Sequence, residues 1–319
     1  MWLIAFVAKP KSAKAYLHNL KPFICDSIFA MQQITNGILL VSISEKGAEL
    51  QSIINKQTGL EYLWSGDAAF WGKKSPVLFP IVGGLKNNTY NYQGNSYQLS
   101  RHGFARENVF EVTAATEAIA TYTLTSNEAT LKAYPFAFSF AVTYGIEGNK
   151  LTCTYTVKNT GNEPMYFSCG AHPAFKVPLV DGTAYTDWHL QFDAIENTGK
   201  WPLSADGLIL KEPIACLENT HQLPLTKALF YGDALVFKDL KSTAISIVSN
   251  KSKHGLTMQF EGFPYYGIWA FKDADFVCLE PWCGIADSID TTGELKDKEG
   301  IILLVENEVW ERSWRVEMF

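Results

Sequence analysis

Apolar and polar positions alternate with a period of two along much of the chain, and no stretch sustains a helical period. Residues 37–44 are rich in Ile, Leu and Val and predict a first strand. Leu151, Cys153, Tyr155 and Val157 alternate with Thr152, Thr154, Thr156 and Lys158, the pattern of an antiparallel strand buried on one face. Near the end of the chain Trp310, Arg312, Trp314, Val316 and Met318 share one face, and Glu311, Ser313, Arg315 and Glu317 share the other. Residues 89–99 read as a hairpin turning at 93–96, and residues 159–164 as a turn. Only residues 127–133 suggest a helix, of one or two turns, stopped by Pro135. Many short strands without intervening helices predict an all-β fold, a large two-sheet β-sandwich with a few short helices, rather than a parallel α/β sheet. No Pro- or Ser-rich linker interrupts residues 31–319, which predicts one domain there.

The first thirty residues break this picture. They hold Lys9, Lys11, Lys14 and Lys21 against the single acid Asp26, and no Arg. The apolar stretch 2–8 is short and follows no basic residue, so it fits a secretory signal poorly. Residues 1–30 are therefore read as an N-terminal extension of uncertain status, with the folded domain starting near Met31.

Composition narrows the function classes. The chain has 319 residues and a net charge of −6. That balance lacks the basic footprint of a nucleic-acid binder. No apolar run approaches the ~20 residues of a membrane span. Six cysteines in this length are too sparse for a disulfide scaffold, so free thiols in a reducing compartment, the cytoplasm, are expected. Charged residues are 19% of the chain, below the usual ~25%, which places much of its length inside a core or a lined cleft.

Several familiar chemistries are unsupported. There is no Gly-x-Ser-x-Gly and no Gly-x-Gly-x-x-Gly. The stretch from Gly66 to Lys74 misses the phosphate-loop spacing. Cys278 and Cys283 have no second Cys/His pair at zinc spacing, so no metal is expected.

Three segments concentrate titratable residues in apolar surroundings: Ser100-Arg-His-Gly-Phe-Ala-Arg106, Cys169-Gly-Ala-His-Pro-Ala-Phe175 and Phe276-Val-Cys-Leu-Glu-Pro-Trp-Cys-Gly-Ile-Ala-Asp287. His102 and His172 are each followed by a chain-bending residue, and His172, before Pro173, is pushed towards an extended conformation. A histidine can give or take a proton near neutral pH, although a structural histidine bonded to a backbone carbonyl is the default for each one alone. Glu280 ends a continuous apolar run. Either burial raises its pKa and makes it a base, or the side chain has already reached solvent at a strand end. Trp64, Phe70, Trp71, Phe104, Trp269 and Trp282 are expected near these segments, and an aromatic-lined cleft with a few polar groups suits a sugar.

The ordered set of motifs resembles the aldose 1-epimerase (mutarotase) family, in the branch of LacX-type bacterial proteins. The stretches are Gly47-Ala-Glu-Leu50, Trp71-Gly-Lys-Lys-Ser-Pro-Val-Leu-Phe-Pro-Ile-Val-Gly83, Arg101-His-Gly-Phe-Ala-Arg106, Tyr134-Pro-Phe136 and His172-Pro-Ala-Phe175. Asp233-Ala-Leu-Val-Phe237, Phe263-Pro-Tyr-Tyr-Gly-Ile-Trp269 and Leu279-Glu-Pro-Trp-Cys-Gly-Ile-Ala-Asp287 follow. The resemblance implies a galactose-mutarotase-like β-sandwich, or supersandwich, with a sugar cleft on one sheet and no cofactor. It implies catalytic roles for Glu280, His172 and His102, and sugar binding by Asp233. Trp269 is a further candidate for the sugar site.

One departure stands out. Many relatives carry an Arg that bonds the sugar where this chain has Gly84, and Lys86 or Arg106 is expected to supply the donor instead. The implied activity is interconversion of the α and β anomers of a hexose such as galactose or glucose, by a monomer or homodimer. Two other readings stay open. One is a hexose-6-phosphate mutarotase with Arg106, Lys73, Lys74 or Lys86 around the phosphate. The other is a non-catalytic sugar-binding or sensing protein.

Overall fold

The computed structural model describes residues 30–319, so the expected extension over residues 1–30 lies, but for Ala30, outside the described residues. The architecture is all-β, as expected. A nine-stranded antiparallel sheet runs in the order Ile214–Pro224, Trp188–Lys200, Ala244–Ser249, Ser252–Gln259, Val309–Met318, Lys150–Asn159, Phe138–Glu147, Ile119–Thr125 and Glu111–Ala115. A six-stranded sheet holds Leu235–Phe237, Tyr265–Trp269, Phe276–Cys283, Cys169–Ala171 and Val77–Leu78, with Ala174–Lys176 also paired to Phe276–Cys283. Met31–Thr35, Leu39–Ser44 and Glu49–Asn55 form a separate three-stranded sheet.

The large sheet follows the period-two reading. In Lys150–Asn159 the odd-numbered residues Leu151, Cys153, Tyr155 and Val157 are buried, and Val309–Met318 pairs beside it with Trp314, Val316 and Met318 buried. The six-stranded sheet follows a different rule. All eight residues of Phe276–Cys283 are buried, because this strand is covered on both faces and so reads as a continuous apolar run. One side meets the main core, where Phe79 stacks on Phe140 of the large sheet at 4.5 Å between ring centroids. The other side carries a smaller cluster of Leu78, Val82, Ile209, Val236, Trp282, Ile285 and Ala286.

Local details sharpen three expectations. The hairpin turns on Gln93-Gly94 alone, both with positive φ (49° and 77°), between Thr89–Tyr92 and Asn95–Gln98; such a two-residue turn matches the twist of the strands. The helix is Glu128–Ala133, and Asn127 is its N-cap, accepting from the N–H groups of Ala129 and Thr130. Glu280 does not end its strand, which continues through Pro281 to Cys283. Cys153, Cys169, Cys216, Cys278 and Cys283 are all free. No described helix is long and apolar enough to cross a membrane.

Candidate active site

Strand pairing places each candidate. His172 sits in the short gap between Cys169–Ala171 and Ala174–Lys176, which both pair with Phe276–Cys283, the strand that carries Glu280. Trp282 lies on that strand opposite Gly170 and Tyr265. A Cβ on either Gly170 or Gly267 would press into the Trp282 indole, so these two glycines make room for the ring. His102 has a left-handed backbone (φ 68°), and the next residue, Gly103, also has positive φ and lies against the Phe79 carbonyl, where a side chain would collide.

These elements line one cleft of about 680 Å³, within the range of small-molecule sites. Its walls include His102, His172, Glu280, Asp233, Arg106 and Trp269, so six of the seven expected site residues meet in one place. Lys86 is the exception. Its Nζ donates to the Ile289 carbonyl at 2.9 Å, and it does not line the cleft. Lys73 and Lys74 are also elsewhere, bonded to Glu107 and to the Gln51 carbonyl. The cations that do line the cleft are Arg101, Arg106 and Lys272. Of the aromatic residues singled out above, Trp71, Trp269 and Trp282 line the cleft, joined by Phe230, Tyr231 and Phe271, whereas Trp64, Phe70 and Phe104 stand outside it. Trp64 instead donates through Nε1 to the Trp71 carbonyl at 2.9 Å.

Within the cleft a buried carboxyl group faces an imidazole. Nε2 of His172 is 3.3 Å from Oε2 of Glu280, which is 1% exposed. The solvent-reaching reading of Glu280 is thereby overturned. Burial holds its carboxyl well above the usual carboxylate range, and the nearby Asp233 pushes the same way. Burial also pushes the His172 imidazole down to about 3, with Arg106 adding to the effect. Trp71 stacks on the imidazole at 5.1 Å and Trp269 meets it edge-on at 5.6 Å.

His102 stands beside this pair, 5.7 Å from His172 between ring centroids. Its Nδ1 accepts from the Gly83 N–H at 3.1 Å. That contact places the imidazole proton on Nε2, leaving one donor free. Burial, then the neighbouring His172 and the two arginines, keep this ring neutral as well. His172, Cys278 and Glu280 each bring one ligand atom within 4.8 Å of the others, a nitrogen–sulfur–oxygen set that could hold a cation.

Three contributors escape a reading of the sequence. Arg101 is visible beside His102, but nothing in the motif says that its side chain enters the cleft. Residues 203–209 form a wall from far along the chain, through Leu203, Ser204, Ala205, Gly207 and Ile209. Glu49 is buried and accepts through Oε1 from the N–H groups of Lys74 and Ser75, fixing the segment that presents Trp71. No pattern marks these long-range contacts, because each depends on which segments fold together.

Comparison with known proteins places the chain in a family. The family model described as aldose 1-epimerase matches residues 31–302. The chromosomal Protein LacX of Lactococcus lactis subsp. lactis is 32% identical over 293 residues, covering 89% of this chain and 98% of that protein. The crystal structure of a galactose mutarotase related enzyme from Lactobacillus acidophilus superposes with a TM-score of 0.87 at 34% identity, covering 91% of this chain and 97% of that one. A galactose mutarotase-like protein from Lactobacillus casei ATCC 334 gives 0.83 at 30% identity, covering 91% and 100%. By the family match over most of its length, and by relatives above 30% identity that it spans almost completely, the chain belongs to the aldose 1-epimerase family.

Proposed function

We propose that the protein interconverts the α and β anomers of a hexose by acid–base opening and closing of the sugar ring. The observation that carries this reading is the buried Glu280–His172 pair inside an aromatic cleft. Anomer exchange requires that the C1 hydroxyl lose a proton while the ring oxygen gains one. The C1–ring-oxygen bond then breaks, the aldehyde turns about C1–C2, and the ring closes on its other face with the protons returned. One base and one acid are sufficient.

Glu280 is the base at the C1 hydroxyl and His172 the acid at the ring oxygen. Burial disfavours charge on both groups, so the resting pair holds one proton, on Glu280. Moving that proton to His172 arms the pair. A sugar favours this state, because its hydroxyl donates to the carboxylate and its ring oxygen accepts from the imidazolium. The Nε2–H of His102 steadies charge developing near the ring oxygen. Asp233 and Arg106 hold sugar hydroxyls, and Trp269 and Trp71 face the apolar C–H surfaces of the ring.

The test is polarimetry of freshly dissolved α-glucose and α-galactose. Glu280→Gln keeps the shape of the side chain and removes the base, so it should lose about 10²–10⁴-fold in rate. A variant that relaxes the sugar as fast as wild type sinks the assignment, and tight sugar binding without acceleration points to a sensor. Arg101, Arg106 and Lys272 in the cleft keep a phosphorylated hexose as the second reading, which glucose 6-phosphate in the same assay decides.

A further inference from the structure

Two glycines in the cleft wall border one guanidinium. Gly207 has positive φ, and a Cβ there would collide with Nη2 of Arg101. Gly84 is different. Its φ is not positive, and a Cβ there would meet only Gly207 O at 3.8 Å, Arg101 Nε at 3.9 Å and Asp206 O at 3.9 Å, all ordinary contacts. Position 84 therefore has room for a side chain, carries none, and is bordered by Arg101.

Arg101 is well placed to use that room. Nη2 donates to the Asp206 carbonyl at 3.3 Å, and among the described residues the guanidinium makes no other hydrogen bond and no ion pair. Most of its five N–H donors are therefore unspent. Its own carbonyl accepts from Nη2 of Arg106 at 2.9 Å, and its neighbour in the chain is His102. The same side chain thus joins the segment that carries His102 to the wall formed by residues 203–209.

We propose that Arg101 is a substrate-binding residue that sets which sugar the cleft accepts, by donating a fork of two hydrogen bonds to neighbouring hydroxyl oxygens of a neutral sugar. This rests on the reading of the cleft as a sugar site. A fork suits the planar guanidinium and is not reproduced by a lysine ammonium. Asp233 and Glu280 also line the cleft, and hydroxyls, unlike an anion, can bond to carboxyl groups as well as to an arginine.

The experiment combines tryptophan fluorescence titration with polarimetry, since Trp71, Trp269 and Trp282 line the cleft. The ligands are glucose, galactose, the 2-, 3-, 4- and 6-deoxyglucoses and glucose 6-phosphate. Arg101→Gln and Arg101→Lys should each weaken binding of the preferred neutral sugar by about tenfold or more, the size of a lost hydrogen bond to a charged group. KM should rise by a similar factor and kcat should change less. Wild type should lose a comparable factor for the deoxy sugars that lack the contacted hydroxyls, and Arg101→Gln should show no added loss for them. Arg101 is exposed, so both variants should fold, and near-ultraviolet circular dichroism checks this.

The proposal is overturned if Arg101→Lys binds like wild type, if Arg101→Gln binds every sugar unchanged, or if it loses only glucose 6-phosphate. In the second case an active wild type would leave the epimerase reading standing. A wild type that neither binds nor rotates any of these sugars would instead refute that reading.

Discussion

Nε2 of His172 and Oε2 of Glu280 lie 3.3 Å apart, with both side chains largely buried, 10% and 2% exposed. The two groups prefer their neutral forms, one as a base without its proton and one as an acid with it. In the proposed mechanism a single proton shared across this contact would serve both ends of a hemiacetal.

The pH profile follows from those directions. On the acid side the pair fails when His172 also takes up a proton, which burial delays to about pH 3. On the alkaline side it fails when Glu280 gives up the only proton, above its raised pKa. The rate constant kcat/KM should therefore be flat through pH 6.5, where an ordinary histidine titrates. Polarimetry from pH 4 to 9 measures this, and an acid limb centred near 6.5 would contradict the buried pair.

Replacing Glu280 should also stabilise the fold. The folded-state pKa of Glu280 is raised, so the folded protein binds this proton more tightly than the unfolded chain does. Stability from this site is intact below the unfolded pKa of ~4.3 and is lost as pH rises towards the folded value. Glu280→Gln removes that loss. Denaturant unfolding should show a gain of about 0.5–2 kcal/mol at pH 7–8 and none near pH 4. A variant less stable than wild type at pH 8 would count against this.

Trp71 offers a second handle on the histidine. Its ring stacks on His172 at 5.1 Å and excludes water from it. Burial is the main cause of the lowered pKa, so Trp71→Ala should move the acid limb of kcat/KM upward, towards 6.5. The variant should also bind sugar more weakly. An unchanged acid limb would show that the stack does not control the proton.

Asp287 ties the cleft wall to a buried cation. Its Oδ1 is 2.8 Å from Nζ of Lys298, and the two side chains are 3% and 2% exposed. Its Oδ2 accepts from the Lys86 N–H at 3.0 Å, its own N–H donates to the Gly84 carbonyl, and its carbonyl accepts from Ile209. Asp287→Ala would strand Lys298 without its partner and should cost about 3–5 kcal/mol. Asp287→Ala combined with Lys298→Met should recover part of that loss. If the single variant unfolds at the wild-type denaturant midpoint, the pair has no structural weight.

Much of the fold was legible because it is local. Alternation in residues 151–157 and 310–318 reports one buried face directly, and Asn127 announces a helix start. The unbroken run ending in Leu279 was harder. Such a run shows that a strand is covered on both faces but not what covers it, so Glu280 could be read as buried or as emergent. Only the pairing with Tyr265–Trp269 and Cys169–Ala171 closed it off.

The sequence by itself determined the all-β class, and it put forward His102, His172 and Glu280 as candidates, since both depend on residue type and order. Tertiary structure decided the rest of the cleft. It turned Lys86 outward to the Ile289 carbonyl, brought Arg101 into the space beside Gly84, and set residues 203–209 as a wall. A long side chain on a loop can reach in several directions from the same backbone, and the neighbours that choose among them lie more than a hundred residues away.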